Sequence, residues 1–314
     1  MSANVPWESV IEALTEKGWS ARVADAARLT DLRARVATVL GSGELPETAA
    51  AHLADKVAFA LPEGLAAARS VIVGAVARPL TQATLTVGGA DHTVPVPPQY
   101  AGSVAARDGL TEAAGAALAP FGHRAGRFEP PLKTLAACAG LARYGRNNIA
   151  YVPGLGSYLM LAACATDAPP PDDAAWAEPL RLARCERCSA CLLACPTGAI
   201  RADRFLLETD RCLTFVNEDR APFPKWVDPA WHTCAVGCLR CQQVCPENAG
   251  VELLVEPPEM FDEEESAAIL AATGDSGLAP ATLAKLERCG LDYSPGLIAR
   301  NLLALLAGRP HREP

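Results

Sequence analysis

Apolar residues first recur at helical spacing in PWESVIEALTEK, residues 6–17. Val10, Ile11 and Leu14 share a face there, Pro6 fits the opening turn and Gly18 can end it. DAARLTDLRARVATVLGSG repeats the spacing and stops at the Gly-Ser-Gly of 41–43. The period then shortens. SVIVGAV, residues 70–76, is a continuous apolar run with β-branched members and predicts a buried strand. Residues 78–100, rich in Thr, Val, Gly and Pro, predict extended segments and loops, and 105–119 returns to a helix with Leu110, Ala114 and Leu118 on one face. A helix over 133–139 closes at Gly140. GLARYGRNNIAYVPGLGSYLMLAAC then reads as a turn, a strand near 148–152, a Pro-Gly-x-Gly loop and a strand near 157–164. DAPPPDD at 167–173 is the clearest linker, and three short helical patterns follow at 264–272, 280–289 and 296–307. These divide the chain into an N-terminal α/β domain (1–173), a cysteine-rich module (174–250) and a C-terminal helical segment (251–314), an α+β architecture overall.

Composition narrows what such a chain can be. With 314 residues it can bury a sizeable core, and half of its residues are apolar, many of them Ala. No window approaches the ~18 uninterrupted apolar residues of a membrane span. The opening MSANVPWESV has neither a basic nor an apolar leader pattern, so the cytoplasm is the expected compartment. A net charge of −8 argues against broad nucleic-acid binding. Residues 181–250 depart from that balance, with nine Lys/Arg against eight Asp/Glu. The acidic run Asp262–Glu265 reads as a solvated helix start.

Nine of the twelve cysteines fall between 185 and 245. The first group is Cys185, Cys188, Cys191 and Cys195-Pro196, with the spacing of a bacterial ferredoxin; the second is Cys238, Cys241 and Cys245-Pro246. Paired C-x2-C motifs also build zinc ribbons, but two groups of this density, each closing in Cys-Pro, point to two [4Fe–4S] clusters. In the ferredoxin pattern three close thiolates wrap one cluster and the Cys before Pro reaches the other. That places Cys185, Cys188, Cys191 and Cys245 on one cluster, and Cys195, Cys238, Cys241 with either Cys212 or Cys234 on the other. Cys138, Cys164 and Cys289 lie in apolar contexts and read as core residues. No nucleotide motif is complete: GLGS at 154–157 and GSG at 41–43 both fall short of G-x-G-x-x-G. Electrons are therefore expected from a separate donor of ferredoxin or flavodoxin type.

The series AACAGLARYGRNNIAYVPGLGSYLMLAAC, CERCSACLLACPTGAI, RCLTFVNE and GCLRCQQVCPEN resembles epoxyqueuosine reductase and its relatives, over about residues 130–250. The resemblance implies Cys212 as the eighth ligand, leaving Cys234 spare. It also implies a nitroreductase-like N-terminal domain of cobalamin-reductase type, akin to that of reductive dehalogenases, in which a cluster reduces a corrinoid. This sequence departs from the family pattern in three places. The proton-donating Asp falls at Gly126, the upstream Tyr-His motif is replaced by QYAGSVAARDG, and the family's GWxGK is Ala142–Arg146. With the acidic balance, these departures argue against tRNA and for a small-molecule substrate.

Further candidates are few. Gly140, Gly145, Gly156 and Ser157 could let a cofactor approach the backbone, or could simply cap a helix and build a hairpin. Arg146 and Lys133 are candidate anion binders. Tyr144 is a candidate proton donor or a structural tyrosine, and His232 a candidate donor to the clusters. The expected function is an iron–sulfur oxidoreductase passing electrons to a corrinoid and a small molecule. The alternatives are an electron carrier that activates a partner, and epoxyqueuosine reduction on tRNA.

Overall fold

The two faces of the SVIVGAV run turn out to face two different cores. The chain is described here as a computed structural model covering residues 5–56 and 59–308. In order its elements are α1 (Trp7–Glu16), β1 (Ser20–Asp25), α2 (Leu29–Gly41), α3 (Glu47–Lys56), β2 (Ser70–Ala77), β3 (Thr81–Val87), β4 (Ala90–Val96) and α4 (Ser103–Leu118). There follow β5 (Ala125–Phe128), α5 (Leu132–Cys138), β6 (Arg143–Tyr144), β7 (Ala150–Tyr151), β8 (Leu159–Thr166), α6 (Ala190–Ala194) and α7 (Leu213–Glu218). The last are α8 (Arg240–Gln243), β9 (Glu259–Phe261), α9 (Glu263–Ala271), α10 (Pro280–Arg288) and α11 (Pro295–Ala307). No described helix is long and apolar enough to cross a membrane.

The chain divides into two compact units. The first takes in residues up to 77, 103–189 and 203–207; the second takes in 78–102, 190–202 and residues from 208 on. This differs from the expected boundaries at 173 and 250. The linker at 167–173 belongs wholly to the first unit, and the cysteine run is divided at Ser189.

The first unit is built on an antiparallel sheet in the order β1-β2-β8-β5. Strand side chains alternate between faces, so a strand covered on both sides must be apolar throughout. Val71, Val73 and Ala75 of β2 join Leu159, Leu161 and Ala163 of β8 in one core, with Leu32 of α2 and Leu135 of α5. Ile72 joins Met160, Ala162 and Cys164 in the opposite core, with Val10 and Leu14 of α1 and Leu110 and Leu118 of α4. Gly74 leaves room for Trp19 and α4: an added Cβ would lie 2.9 Å from the Trp19 ring and 3.0 Å from Leu110. The pattern along the sequence does not predict β1 or α3; β1 is recognisable only through its pairing with β2.

The second unit holds the sheet β4-β3-β9, in which β3 pairs with β9 in parallel across a long stretch of sequence. Ala83, Leu85, Val94 and Val96 of the hairpin bury against Phe261, Ile269, Leu286, Ile298 and Leu302. That shared core is why residues 78–102 fold with the C-terminal helices. The acidic run forms the expected helix start: the Asp262 carboxylate accepts from the Glu265 N–H at 2.8 Å, and Glu265 accepts from the Asp262 N–H at 3.2 Å.

Candidate iron–sulfur centre

In the second unit short helices carry the thiols. Cys191 lies on α6 and Cys241 on α8, and these two helices pack together. Cys195 follows α6, Cys212 stands at the N-cap of α7, and Cys245 at the N-cap of the turn 246–248. Burial pushes the Cys195 thiol up, but the Thr197 hydroxyl at 3.5 Å and the N–H groups of Ile200, Thr197 and Ala199 outweigh it and leave the thiol below its ordinary value. Donors aimed at sulfur favour the thiolate, the form that binds iron. Burial raises Cys212, partly offset by the N–H groups of Phe215 and Thr214, and the nearby Cys195 adds to the rise. Cys238 is pushed up to about 11 by burial against the Arg240 N–H, with Cys212 and Cys195 both close enough to contribute. Three thiols of the expected second set therefore lie within electrostatic reach of one another. Among the described residues no three His, Cys, Asp or Glu side chains meet as a single ion requires. A cubane instead takes one thiolate on each of four irons, so its ligands stand further apart.

Cys234 also lies near Cys238 and receives the Thr233 hydroxyl and the Leu239 N–H. It is fully buried, shares an apolar cluster with Leu80 and Leu239, and is pushed up to about 12 by that burial. Cys164 and Cys289 are likewise pushed to about 12, primarily by burial. Burial raises both Cys212 and Cys234, and each has N–H donors near its sulfur; Cys212 lies near Cys195 and Cys238, Cys234 near Cys238.

In the first unit the segment before Cys185 is laid alongside β6. The Tyr144 N–H donates to the Leu180 carbonyl, and the Leu182 N–H to the Tyr144 carbonyl, each at 2.9 Å. The Arg146 N–H then donates to the Cys185 sulfur at 3.3 Å, and its guanidinium to the Cys185 carbonyl. Arg146 was an expected anion binder; the structure shows it fixing and hydrogen-bonding a cluster ligand. Only the fold brings these two residues together, because they are 39 positions apart in the chain.

The other candidates are engaged by the chain itself. Lys133 reaches the Asn148 carbonyl at 3.1 Å. The Tyr144 hydroxyl lies 3.1 Å from that of Thr134, its ring meets Phe205 edge-on at 5.2 Å, and burial holds its pKa above the ordinary value. His232 is buried against Phe223 at 4.9 Å, and burial together with Arg300 lowers its pKa.

The five residues expected at a corrinoid serve local geometry. Gly140 has φ +72° and ends α5, its N–H bonded to the Ala137 carbonyl. An added Cβ at Gly145 would come 2.4 Å from Asn147 Oδ1 and 2.7 Å from the Tyr151 ring, so protein already fills that space. Gly156 turns the chain at φ +56° so that its carbonyl accepts from the Val152 N–H at 2.9 Å, and Ser157 is buried behind it. Arg146 is thus held at Cys185, while a Cβ at Gly140 would meet nothing nearer than Ala175 at 4.0 Å.

Comparison with known proteins places this geometry. Residues 184–248 match the family model described as a 4Fe-4S double cluster binding domain. An epoxyqueuosine reductase of Pseudomonas aeruginosa is 31% identical over 212 residues, covering 65% of this chain and 56% of that protein. The match thus spans little more than half of the relative's length. The structure of epoxyqueuosine reductase from Streptococcus thermophilus aligns with TM-score 0.65 at 18% identity, over 96% of this chain and 81% of that one. A further epoxyqueuosine reductase structure, solved with an epoxyqueuosine-modified tRNA-Tyr stem loop, aligns with TM-score 0.60 at 20% identity and the same coverage. The expectation against tRNA and for a small-molecule partner is contradicted by these relatives, which are epoxyqueuosine reductases, one of them solved with a tRNA stem loop. The error came from whole-chain charge, which says little about the local surface that meets a nucleic acid. Residues 184–248 are thus a double [4Fe–4S] cluster binding domain, in a chain similar in sequence to epoxyqueuosine reductases and sharing their fold.

Proposed function

We propose that the chain is an iron–sulfur reductase that removes the epoxide oxygen of a modified tRNA nucleoside, in the manner for which epoxyqueuosine reductases are named. The supporting observation is the extent of the match to the P. aeruginosa enzyme. Most of its 212 aligned residues lie outside the double-cluster domain of 184–248, so the likeness extends beyond the electron-carrying part.

In this reading Cys195, Cys212, Cys238 and Cys241 hold one cluster, and sequence spacing assigns Cys185, Cys188, Cys191 and Cys245 to the other. Converting an epoxide to an alkene consumes two electrons and two protons and releases the oxygen as water. Two one-electron clusters match that demand. The N–H donors at Cys195, Cys212 and Cys185 stabilise the more negative, reduced state of the clusters and so raise their potentials.

The test is a turnover assay. Protein reconstituted anaerobically to about eight irons per chain is reduced with dithionite and mixed with tRNA carrying epoxyqueuosine. The RNA is then digested and its nucleosides are weighed by mass spectrometry. The epoxide nucleoside should give way to one lighter by a single oxygen. Full iron content with no change in the nucleoside would overturn the proposal.

A further inference from the structure

The surface turn between α7 and Cys234 carries a feature that neither the clusters nor the core explain. The chain has five tryptophans, and Trp226 is the most exposed of them, at 37%, whereas Trp7 and Trp19 are buried. It occupies a tight turn closed by the Val227 N–H on the Pro224 carbonyl at 2.9 Å, which places Lys225 and Trp226 at the tip. The Arg211 guanidinium lies over the indole, 5.2 Å from the ring centroid, while its Nε donates to the Thr197 carbonyl at 2.8 Å. The indole thus has an anchored cation over its ring and exposes about a third of its surface to solvent, at 37%.

The rest of the loop is spoken for. The Asp219 carboxylate accepts from the Ala221 N–H at 3.0 Å and that of Asp228 from the Ala230 N–H at 2.9 Å. Arg220 pairs with Asp275 at 2.9 Å, and Phe223 lies between His232 and Arg300. Both flanks are therefore tied down, and both loop carboxylates face their own turns. What the tip presents outward is an aromatic ring with two cations, Arg211 and Lys225.

A partly exposed indole flanked by cations is the chemistry of single-stranded RNA recognition, in which an unstacked base lies on the ring and phosphates meet the cations. We propose that the 224–227 turn, with Arg211, is an RNA platform: Trp226 stacks a loop base and Lys225 and Arg211 contact its phosphates. The inference rests on the proposed tRNA substrate and adds which residues of this chain hold it.

The experiment uses the reconstituted full chain and a fluorescently labelled tRNA-Tyr stem loop, with affinity read by anisotropy over a range of salt and iron content measured on every variant. Trp226→Ala should weaken binding about tenfold to a hundredfold, the loss of one stacked base, and Trp226→Phe should recover most of it. Lys225→Ala should reduce the slope of log affinity against log salt by about 0.7. If Trp226→Ala binds the stem loop within twofold of the parent, the platform is refuted, even where the parent reduces the epoxide. Unchanged RNA affinity with slower electron uptake from a reduced flavoprotein would assign the turn to a protein partner and equally refute it. A parent that binds RNA through Trp226 but leaves the epoxide intact would uphold the platform and refute the proposed reaction.

Discussion

Replacing Cys212 and Cys234 in turn by alanine tests which of the two thiols holds iron. The two are 22 positions apart, and both are covered by protein. At Cys212 the sulfur receives the N–H groups of Phe215 and Thr214 and lies near Cys195 and Cys238. Its loss removes one of four thiolates from a cluster, so Cys212→Ala should fall from about eight to about four irons per chain. Cys234 is packed with Leu80 and Leu239 in an apolar cluster, with Cys238 nearby. Cys234→Ala should keep about eight irons and cost about 1 kcal/mol, the scale for removing one buried methylene-sized group. Iron and acid-labile sulfide are assayed after anaerobic reconstitution, and denaturant unfolding of the same samples gives the stability difference. Full iron in Cys212→Ala together with half in Cys234→Ala would refute the ligand assignment and the electrostatic reasoning behind it.

Other expectations follow from the packing. Gly145→Ala must push aside Asn147 and Tyr151, and should lose about 1–3 kcal/mol in denaturant unfolding, with or without added cobalamin. Leu110→Ala empties a fully buried site between α4 and the sheet and should lose about 2–5 kcal/mol by the same measurement. Burial raises the Glu129 carboxyl, but hydrogen bonds from Arg127 and Arg107 outweigh it and hold the carboxyl below its ordinary value. A depressed carboxyl stabilises the fold above its unfolded pKa, and that contribution disappears as pH falls through the folded value. Glu129→Gln, a half-exposed site, should therefore cost at most about 1 kcal/mol at pH 7, and the gap from the parent should close in unfolding curves taken below about pH 4.

Three helices, α1, α5 and α9, were legible from their punctuation: Pro6 and Gly18 at α1, Gly140 after α5, and the reciprocal Asp262–Glu265 cap of α9. β2 was legible as a run apolar on both faces. β1 was not, since SARVAD carries its apolar residues at irregular positions and is ordered by pairing with Val71 and Val73. The grouping of elements was also hidden, because the β3–β4 hairpin finds its core in Phe261 and the C-terminal helices, far along the chain.

At the site, the cysteine spacing by itself established iron–sulfur chemistry, because few other centres call for so many thiolates so closely spaced, each group closing in Cys-Pro. Spacing could not choose between Cys212 and Cys234, since both lie between the groups and differ only in surroundings. The tertiary structure sets Cys212 near both Cys195 and Cys238, and buries Cys234 beside Leu80 and Leu239 with Cys238 nearby. It likewise moved Arg146 from a free cation to a partner of Cys185, and set Arg211 over Trp226 from 15 residues away. Ligand spacing is a local property of the chain, whereas a thiol's hydrogen bonds and a cation's partner come from segments that folding alone brings together.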